Sequence, residues 1–484
     1  MAIGLRKRVR GALDPDRMLQ GAMGLMIESA GVRYALGVDS ARWQPARPLR
    51  ILLAGYSGTR NTGADVRVEE MIRQFWTIFG EERLELSILS IDPALSAGYF
   101  PHVRQIRMPK VYPRFLAEEC PRHHGVIACE GSMFKSKFAS ALSTMMAGAL
   151  GLANMEGKPS VGYGAEAGEM DPPLRDFVRK QCKQSLIICR NQPSRRILEG
   201  MGIRTRGGTD TAWTFEPAPR ERGAGLLTAA GWDGRQPVLA VCPINPFWWP
   251  VKPDLLKAFA HRYGGQFNRE HYASVYFHSW SEESEGMFDR YLDAFAYALK
   301  RFGRENDAFT ILVGMEQLDR RACEQLGERL PARPPLFISD EHNMYELVSI
   351  LHNCSYMVSS RYHAMVTSMP ALVASAGVTM DERIRNLMND RGHAHFCLEV
   401  DEVDLGDKLV EMMRRLVREK ELIAGEIARF LPGQLELMGR MGMDLEDEVL
   451  RIYPELTRRQ APRTWQSYLP PLSPALSKIM EEGS

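Results

Sequence analysis

Leu49-Arg50-Ile51-Leu52-Leu53-Ala54 runs into Gly55-Tyr56-Ser57-Gly58-Thr59-Arg60-Asn61-Thr62-Gly63-Ala64-Asp65, after which Ile72, Phe75, Trp76 and Phe79 fall at i, i+3, i+4 and i+7. The apolar run reads as a buried strand and the later spacing as an amphipathic helix, so the stretch is one strand–loop–helix unit. Its loop holds three glycines, which let backbone approach a ligand, and it ends at a helix N-terminus, which favours an anion or polar group. It is neither GxGxxG nor a Walker loop, so neither NAD nor ATP is indicated. A turn that serves packing alone is the alternative reading.

The same alternation continues outward. Leu86 to Ile91, Gly125 to Cys129, Ser160 to Gly164 and Leu186 to Cys189 are further strand candidates. Pro217, Pro219, Gly223, Gly225, Gly231 and Gly234 then cluster without periodicity. Strand candidates resume at Pro237 to Cys242, Ala273 to Phe277, Phe309 to Val313, Leu336 to Ser339, Tyr356 to Ser359 and Ala371 to Ser375. Short apolar runs alternating with helical segments predict α/β architecture with parallel sheets. The division expected is a basic extension over 1–48, a Rossmann-like domain over 49–216, a linker over 217–236, a second Rossmann-like domain over 237–404, and a helical, Pro-rich extension over 405–484. Helix is expected from about Asp404 to Arg429, and the Pro-rich stretch runs from Tyr453 to Leu476. Two such domains face each other across a cleft, a natural site for two substrates.

The 484 residues, with 45% hydrophobic and 25% charged, suit a globular protein of several domains. Net charge is +1, but the first fifty residues hold Arg6, Lys7, Arg8, Arg10, Arg17, Arg33, Arg42, Arg47 and Arg50 against four acids. That extension is expected either to stay solvated or to touch anionic lipid. Gly11 to Asp16 interrupts any signal-peptide core, and Phe138 to Met155 is too short and polar to span a bilayer, so it reads as a buried small-residue helix. Eight cysteines lack metal spacing and sit mostly in apolar segments. The expected location is the cytoplasm, including the inner face of the membrane, with no metal.

Candidate chemistry gathers at predicted strand ends. Ser360-Arg361-Tyr362-His363 ends one strand and opens a helix; Arg361 can fork onto an oxyanion and His363 can act as general acid or base. Cys129-Glu130-Gly131-Ser132 offers Glu130 as a sugar ligand or as a loop cap. Arg190-Asn191-Gln192-Pro193-Ser194 puts a second cation toward the cleft, with Ser194 at a helix start. Asp210 either positions an acceptor hydroxyl or, the favoured reading, braces the domain junction. Arg383, about twenty residues beyond His363, returns to the same sheet edge as a third cation. Trp248 and Trp249 are read as interdomain core rather than a stacking platform, and His278 with Trp280 is a similar weaker pair.

Taken in order, Asn61-Thr62-Gly63, Glu130-Gly131-Ser132, Arg190 to Ser194 with Gly202 and Asp210-Thr211-Ala212, and Ser360-Arg361-Tyr362-His363 resemble the polysaccharide pyruvyl transferase family over roughly Arg50 to Leu405. The resemblance implies two GT-B-like domains and transfer of the enolpyruvyl carbon of phosphoenolpyruvate onto a sugar of a surface polysaccharide or its precursor, forming a ketal. It implies Arg190 and Arg361 on the phosphate or carboxylate and His363 as the acid or base, with Arg383, Asn61, Gly63, Glu130, Ser132, Ser194 and Asp210 binding substrate. No cofactor beyond that donor is called for; the acceptor is a sugar, free or lipid-linked, and nucleic acid is not expected. The sequence departs from the family pattern in placing Ala64 after Gly63 with the acid at Asp65, Asn191 after Arg190, and Arg383 where a lysine is common. A GT-B glycosyltransferase using a nucleotide sugar, with Glu316 and Asp319 as ribose ligands, and a non-catalytic glycan-binding relative are the other classes.

Overall fold

A computed structural model describes residues 14–38, 40–268, 270–459 and 462–482. The first sheet holds β1 (Leu49–Ser57), β2 (Leu84–Ser90), β3 (Arg104–Arg107), β4 (Gly125–Ala128), β5 (Ser160–Ala165), β6 (Leu186–Cys189) and β7 (Arg204–Gly207), all parallel, in the order β3-β2-β1-β4-β5-β6-β7. A second parallel sheet of β8 (Val238–Cys242), β12 (Phe309–Gly314), β13 (Leu336–Ile338), β14 (Tyr356–Ser359), β15 (Ala374–Thr379) and β16 (Cys397–Glu399) has the order β13-β12-β8-β14-β15-β16. Both sheets reverse direction beside their first strand. Open α/β sheets bind ligands at that switch point, because the flanking crossovers leave on opposite faces and open a crevice.

The helices of the first part are α1 (Pro15–Ala35), α2 (Thr62–Phe79), α3 (Pro113–Glu119), α4 (Ser140–Met155), α5 (Pro172–Gln181) and α6 (Gln192–Glu199). The small-residue segment expected before Met155 is α4, and its composition has a packing cause: a Cβ on Gly148 would sit 2.6 Å from Cγ of Met23 on α1. The basic residues Arg6 to Arg10 lie outside the described residues. Within the Pro- and Gly-rich stretch, Arg220–Ala229 forms α7, with Gly223 seated against Ser349. No apolar periodicity marks this helix; its burial comes from contact with the second domain.

The second part carries α8 (Leu255–Gly264), α9 (Glu282–Glu305), α10 (Arg320–Glu328), α11 (Met344–His352), α12 (Tyr362–Ser368) and α13 (Glu382–Asp390). The strand expected over Ala273 to Phe277 is not in the parallel sheet. It is split into β10 (His271–Ala273) and β11 (Tyr276–Phe277), which with β9 (Lys252–Pro253) form a small antiparallel sheet. A two-residue turn in its middle closes a hairpin. Short β3, β7 and β16 carry charged or half-exposed residues at sheet margins and so show no apolar run.

The chain ends in α14 (Leu405–Arg418), α15 (Lys420–Ile452) and α16 (Pro474–Glu482). The helical stretch therefore passes the expected stop near Arg429 and continues through Pro432, because Leu431, Leu435, Met438 and Met441 are buried on both sides of it. Packing outweighs the hydrogen bond that a proline removes. α15 bridges the halves: Glu426 meets His393 of the second, while Gln74 of the first donates to Met438 O at 2.8 Å and to Tyr468 O at 3.0 Å. The Pro-rich stretch thus packs back on the first domain. Among the described residues no helix is long and apolar enough to cross a membrane.

Candidate functional site

The loops at the two switch points face each other. The N-terminus of α2 is fixed by Asn61, whose side chain caps Ala64 N at 3.2 Å, and Thr62 N crosses to donate to Met315 O at 2.8 Å. Tyr56 after β1 meets the Tyr272 hydroxyl at 2.9 Å. Between these contacts lies a cleft, partly open to solvent. One domain supplies Asn61, Glu130, Ser132 and Phe138. The other supplies Asn245, Trp248, Trp249, Tyr272, Glu316, Asp319, Arg361 and Arg383.

Arg361 caps β14 and lies against two carboxylates: Nε donates to Asp319 at 2.8 Å, and Nη2 is 3.1 Å from Glu316. Burial raises Glu316 and Asp319 above the usual carboxylate range, and Arg361 offsets part of that rise. Arg383, at the start of α13, pairs with Asp381 at 2.8 Å and lies over the Phe138 ring at 4.8 Å. Burial would raise Asp381, but Arg383 holds it low. Glu130 accepts from Ser132 N at 3.4 Å through one oxygen, while its other oxygen has no hydrogen-bond partner. It is therefore a loop cap with an acceptor to spare.

Behind this cleft lies a buried charge cluster. Arg190 at the end of β6 binds Glu166 through Nε at 2.6 Å and Asp210 through Nη1 at 2.9 Å, and its guanidinium lies 4.7 Å from the centre of the Tyr362 ring. Fully buried Arg67 of α2 reaches Asp210, Cys129 O and Gly164 O. Lys135 adds 2.7 Å and 2.6 Å pairs to Glu166 and Glu382. Gly131 leaves room for the two arginines, since a Cβ there would stand 2.7 Å from Arg190 Nη1. Burial alone would raise Asp210, yet Arg67, His363 and Arg190 together hold it well below the usual carboxylate range.

His363 Nε2 is 3.4 Å from Asp210 Oδ2 without hydrogen-bond alignment, and the ring packs against Gly63, where any Cβ would overlap it. Burial lowers the imidazole, Asp210 restores part, and Arg67 and Arg190 push it down further. The ring is therefore neutral near pH 7 and suited to taking a proton.

Of the residues singled out in the sequence, Asn61, Glu130, Ser132, Arg361 and Arg383 line the cleft, and Gly63, His363 and Asp210 form the layer beneath it. Arg190 does not flank one ligand site with Arg361: it lines a smaller neighbouring pocket with Asn191 and Tyr362, and Arg383 borders both. Ser194 lines neither; its hydroxyl donates to Ala167 O and its NH is capped by Asn191. Asp319 gives both oxygens and Glu316 one to Arg361, which leaves little for a ribose. Trp248 and Trp249 are half-buried and line the cleft rather than filling a core, with His278 behind them at ring distances of 4.7 Å and 5.4 Å. Arg67, Lys135 and Glu166 escaped sequence reading, because a charged residue in a helix or loop shows no sign of complete burial.

The model of the polysaccharide pyruvyl transferase family matches residues 145–371. That span contains Arg190, Ser194, Asp210, Arg361 and His363. No curated protein matches the chain. Among solved structures, a putative UDP-N-acetylglucosamine 2-epimerase from Listeria monocytogenes is similar at 9% identity and TM-score 0.49, covering 83% of this chain and 97% of that one. The UDP-GlcNAc 2-epimerase of Neisseria meningitidis gives 9% identity and TM-score 0.45 over 78% and 94% of the two chains. ADP-heptose LPS heptosyltransferase II of E. coli gives 11%, 0.39, 77% and 100%.

Proposed function

We propose, on the premise that residues 145–371 match the polysaccharide pyruvyl transferase family, that this chain transfers the pyruvyl group of phosphoenolpyruvate to a sugar of a surface polysaccharide or its precursor. The observation that carries the reading is the convergence of Arg361 and Arg383 on one interdomain cleft, opposite an aromatic wall. Phosphoenolpyruvate brings a phosphate and a carboxylate. Each guanidinium has five N–H donors, so it can share itself between its resident carboxylate and an arriving anion.

In the reaction, C3 of the enol gains a proton and becomes a methyl group, and one sugar hydroxyl bonds to C2. The C2–O bond to phosphate breaks with its electron pair on the leaving group, and the neighbouring hydroxyl closes the ketal. Of the two hydroxyl protons released, one balances the proton on C3 and the other leaves on phosphate. His363, neutral in the layer beneath the cleft, is the base that the family resemblance implies for the proton of the attacking hydroxyl, a service worth about 10² to 10⁴ in rate. Asp210 then stabilises the imidazolium, and Arg190 with Arg67 positions Asp210. Arg361 and Arg383 offset charge on the departing phosphate. Trp249 and the free oxygen of Glu130 suit a sugar ring and its hydroxyls.

Calorimetric titration of phosphoenolpyruvate, UDP-sugars and GDP-sugars tests this without knowledge of the acceptor. Phosphoenolpyruvate binding that disappears in Arg383→Ala is the expected result. Nucleotide-sugar binding without phosphoenolpyruvate binding would overturn the reading and move the chain to the glycosyltransferases.

A further inference from the structure

Helix α8 has its polarity reversed. None of its residues is buried, and Leu256 (84% exposed), Phe259 (66%) and Tyr263 (70%) stand outward with Leu255. Of its two charged residues, Arg262 is exposed and Lys257 pairs with Glu270 above the Phe267 and Phe277 rings. Phe259 and Tyr263 rest on each other at 4.7 Å, so the apolar surface is continuous along the helix. A patch of large apolar side chains on a single exposed helix is costly in water and marks a contact surface.

The surroundings say what kind. Between Val251 and Trp280 there are two acids, Asp254 and Glu270, against Lys252, Lys257, Arg262 and Arg269. Both acids are consumed internally: Asp254 caps Leu256 N and Lys257 N, and Glu270 holds Lys257. Lys252 and Arg262 are exposed. The His271 ring of the neighbouring hairpin stacks on His261 of α8 at 4.1 Å, which ties the helix to that unit. Asp16 at the start of α1 is bonded to the Tyr276 hydroxyl of β11.

We propose that the outward face of α8 docks on an anionic membrane, with Leu255, Leu256, Phe259 and Tyr263 in the headgroup region and Lys252 and Arg262 on acidic lipid. Apolar area and cationic charge together give stable binding where either alone is marginal. Because Trp249 and Tyr272 of the same excursion line the cleft, docking brings the cleft mouth to the lipid surface, where a lipid-linked sugar would arrive. The docking itself needs neither phosphoenolpyruvate nor sugar and stands apart from the proposed reaction.

Co-sedimentation of the full chain with vesicles of phosphatidylcholine, and of phosphatidylcholine with about 30% phosphatidylglycerol, is the test. Binding to the acidic vesicles, weakened by salt and reduced about tenfold or more in L256E/F259E, is the expected result. Both residues are exposed, so the variant keeps its fold, and phosphoenolpyruvate calorimetry on the same preparations reads the catalytic proposal separately. Three results would overturn the docking: no binding by the parent chain, equal binding by the variant, or a parent dimer that the variant turns into a monomer in sedimentation velocity. The last would make this face a contact between copies.

Discussion

Gly63 and His363 meet across the domain boundary, the imidazole occupying the space a Cβ at residue 63 would need. One residue opens helix α2 of the first domain and the other opens α12 of the second, so a missing side chain in one half sets the position of the ring in the other.

Gly63→Ala forces the ring or the helix aside. The expected cost is about 1–3 kcal/mol, as for other overpacked sites, read by urea unfolding, together with loss of turnover once an acceptor is in hand. A variant as stable and active as the parent would show that His363 has room to move.

Arg190, which positions Asp210, and Arg383, which borders the cleft, differ in expected effect. Arg190→Ala leaves Glu166 and Asp210 buried with one partner fewer, at a cost of about 3–5 kcal/mol. Arg383→Ala leaves the buried Asp381 carboxylate without its partner, at a cost of about 1–3 kcal/mol, and should also abolish phosphoenolpyruvate binding, which Arg190→Ala should leave in place. Denaturation and calorimetry on the two variants separate structural from ligand-binding work.

The contribution that three buried histidines make to stability should fall on acidification between about pH 6.5 and 4. His124, His278 and His352 are each lowered to about 4 by burial, so the folded state keeps them neutral where the unfolded chain protonates them. In that window the unfolded state binds more protons, and each histidine contributes about 1.4 kcal/mol per pH unit. The histidines' contribution is full above 6.5, and His278→Phe should lower the slope of stability against pH in this window by about one proton. An unchanged slope would mean that His278 titrates normally.

Gln74 ties the C-terminal strap to the first domain, donating to Met438 O and Tyr468 O and accepting from the Tyr163 hydroxyl at 2.8 Å. Gln74→Leu strands the Tyr163 hydroxyl and Tyr468 O at about 1–3 kcal/mol per group. Hydrogen exchange beyond Ile452 should speed up before the sheets do; uniform acceleration would instead make the strap part of the global core.

The sequence by itself determined the α/β class, the strand at Leu49, the helix through Ile72 and Phe79, and the grouping of Arg361, His363, Arg383 and Glu130 at strand ends, because strand and helix periods and turn residues are local properties. Strand order is not local. The switch points that make β1 with β4 and β8 with β14 the cleft walls arise from which crossover packs on which sheet face. Burial of charge is not local either: Arg67, Lys135 and Glu166 look like surface residues until the tertiary fold buries them, and only then does Arg190 prove committed to Glu166 and Asp210 while Arg361 and Arg383 border the open cleft. The same holds for α8, whose composition is that of a core helix and which the fold leaves uncovered.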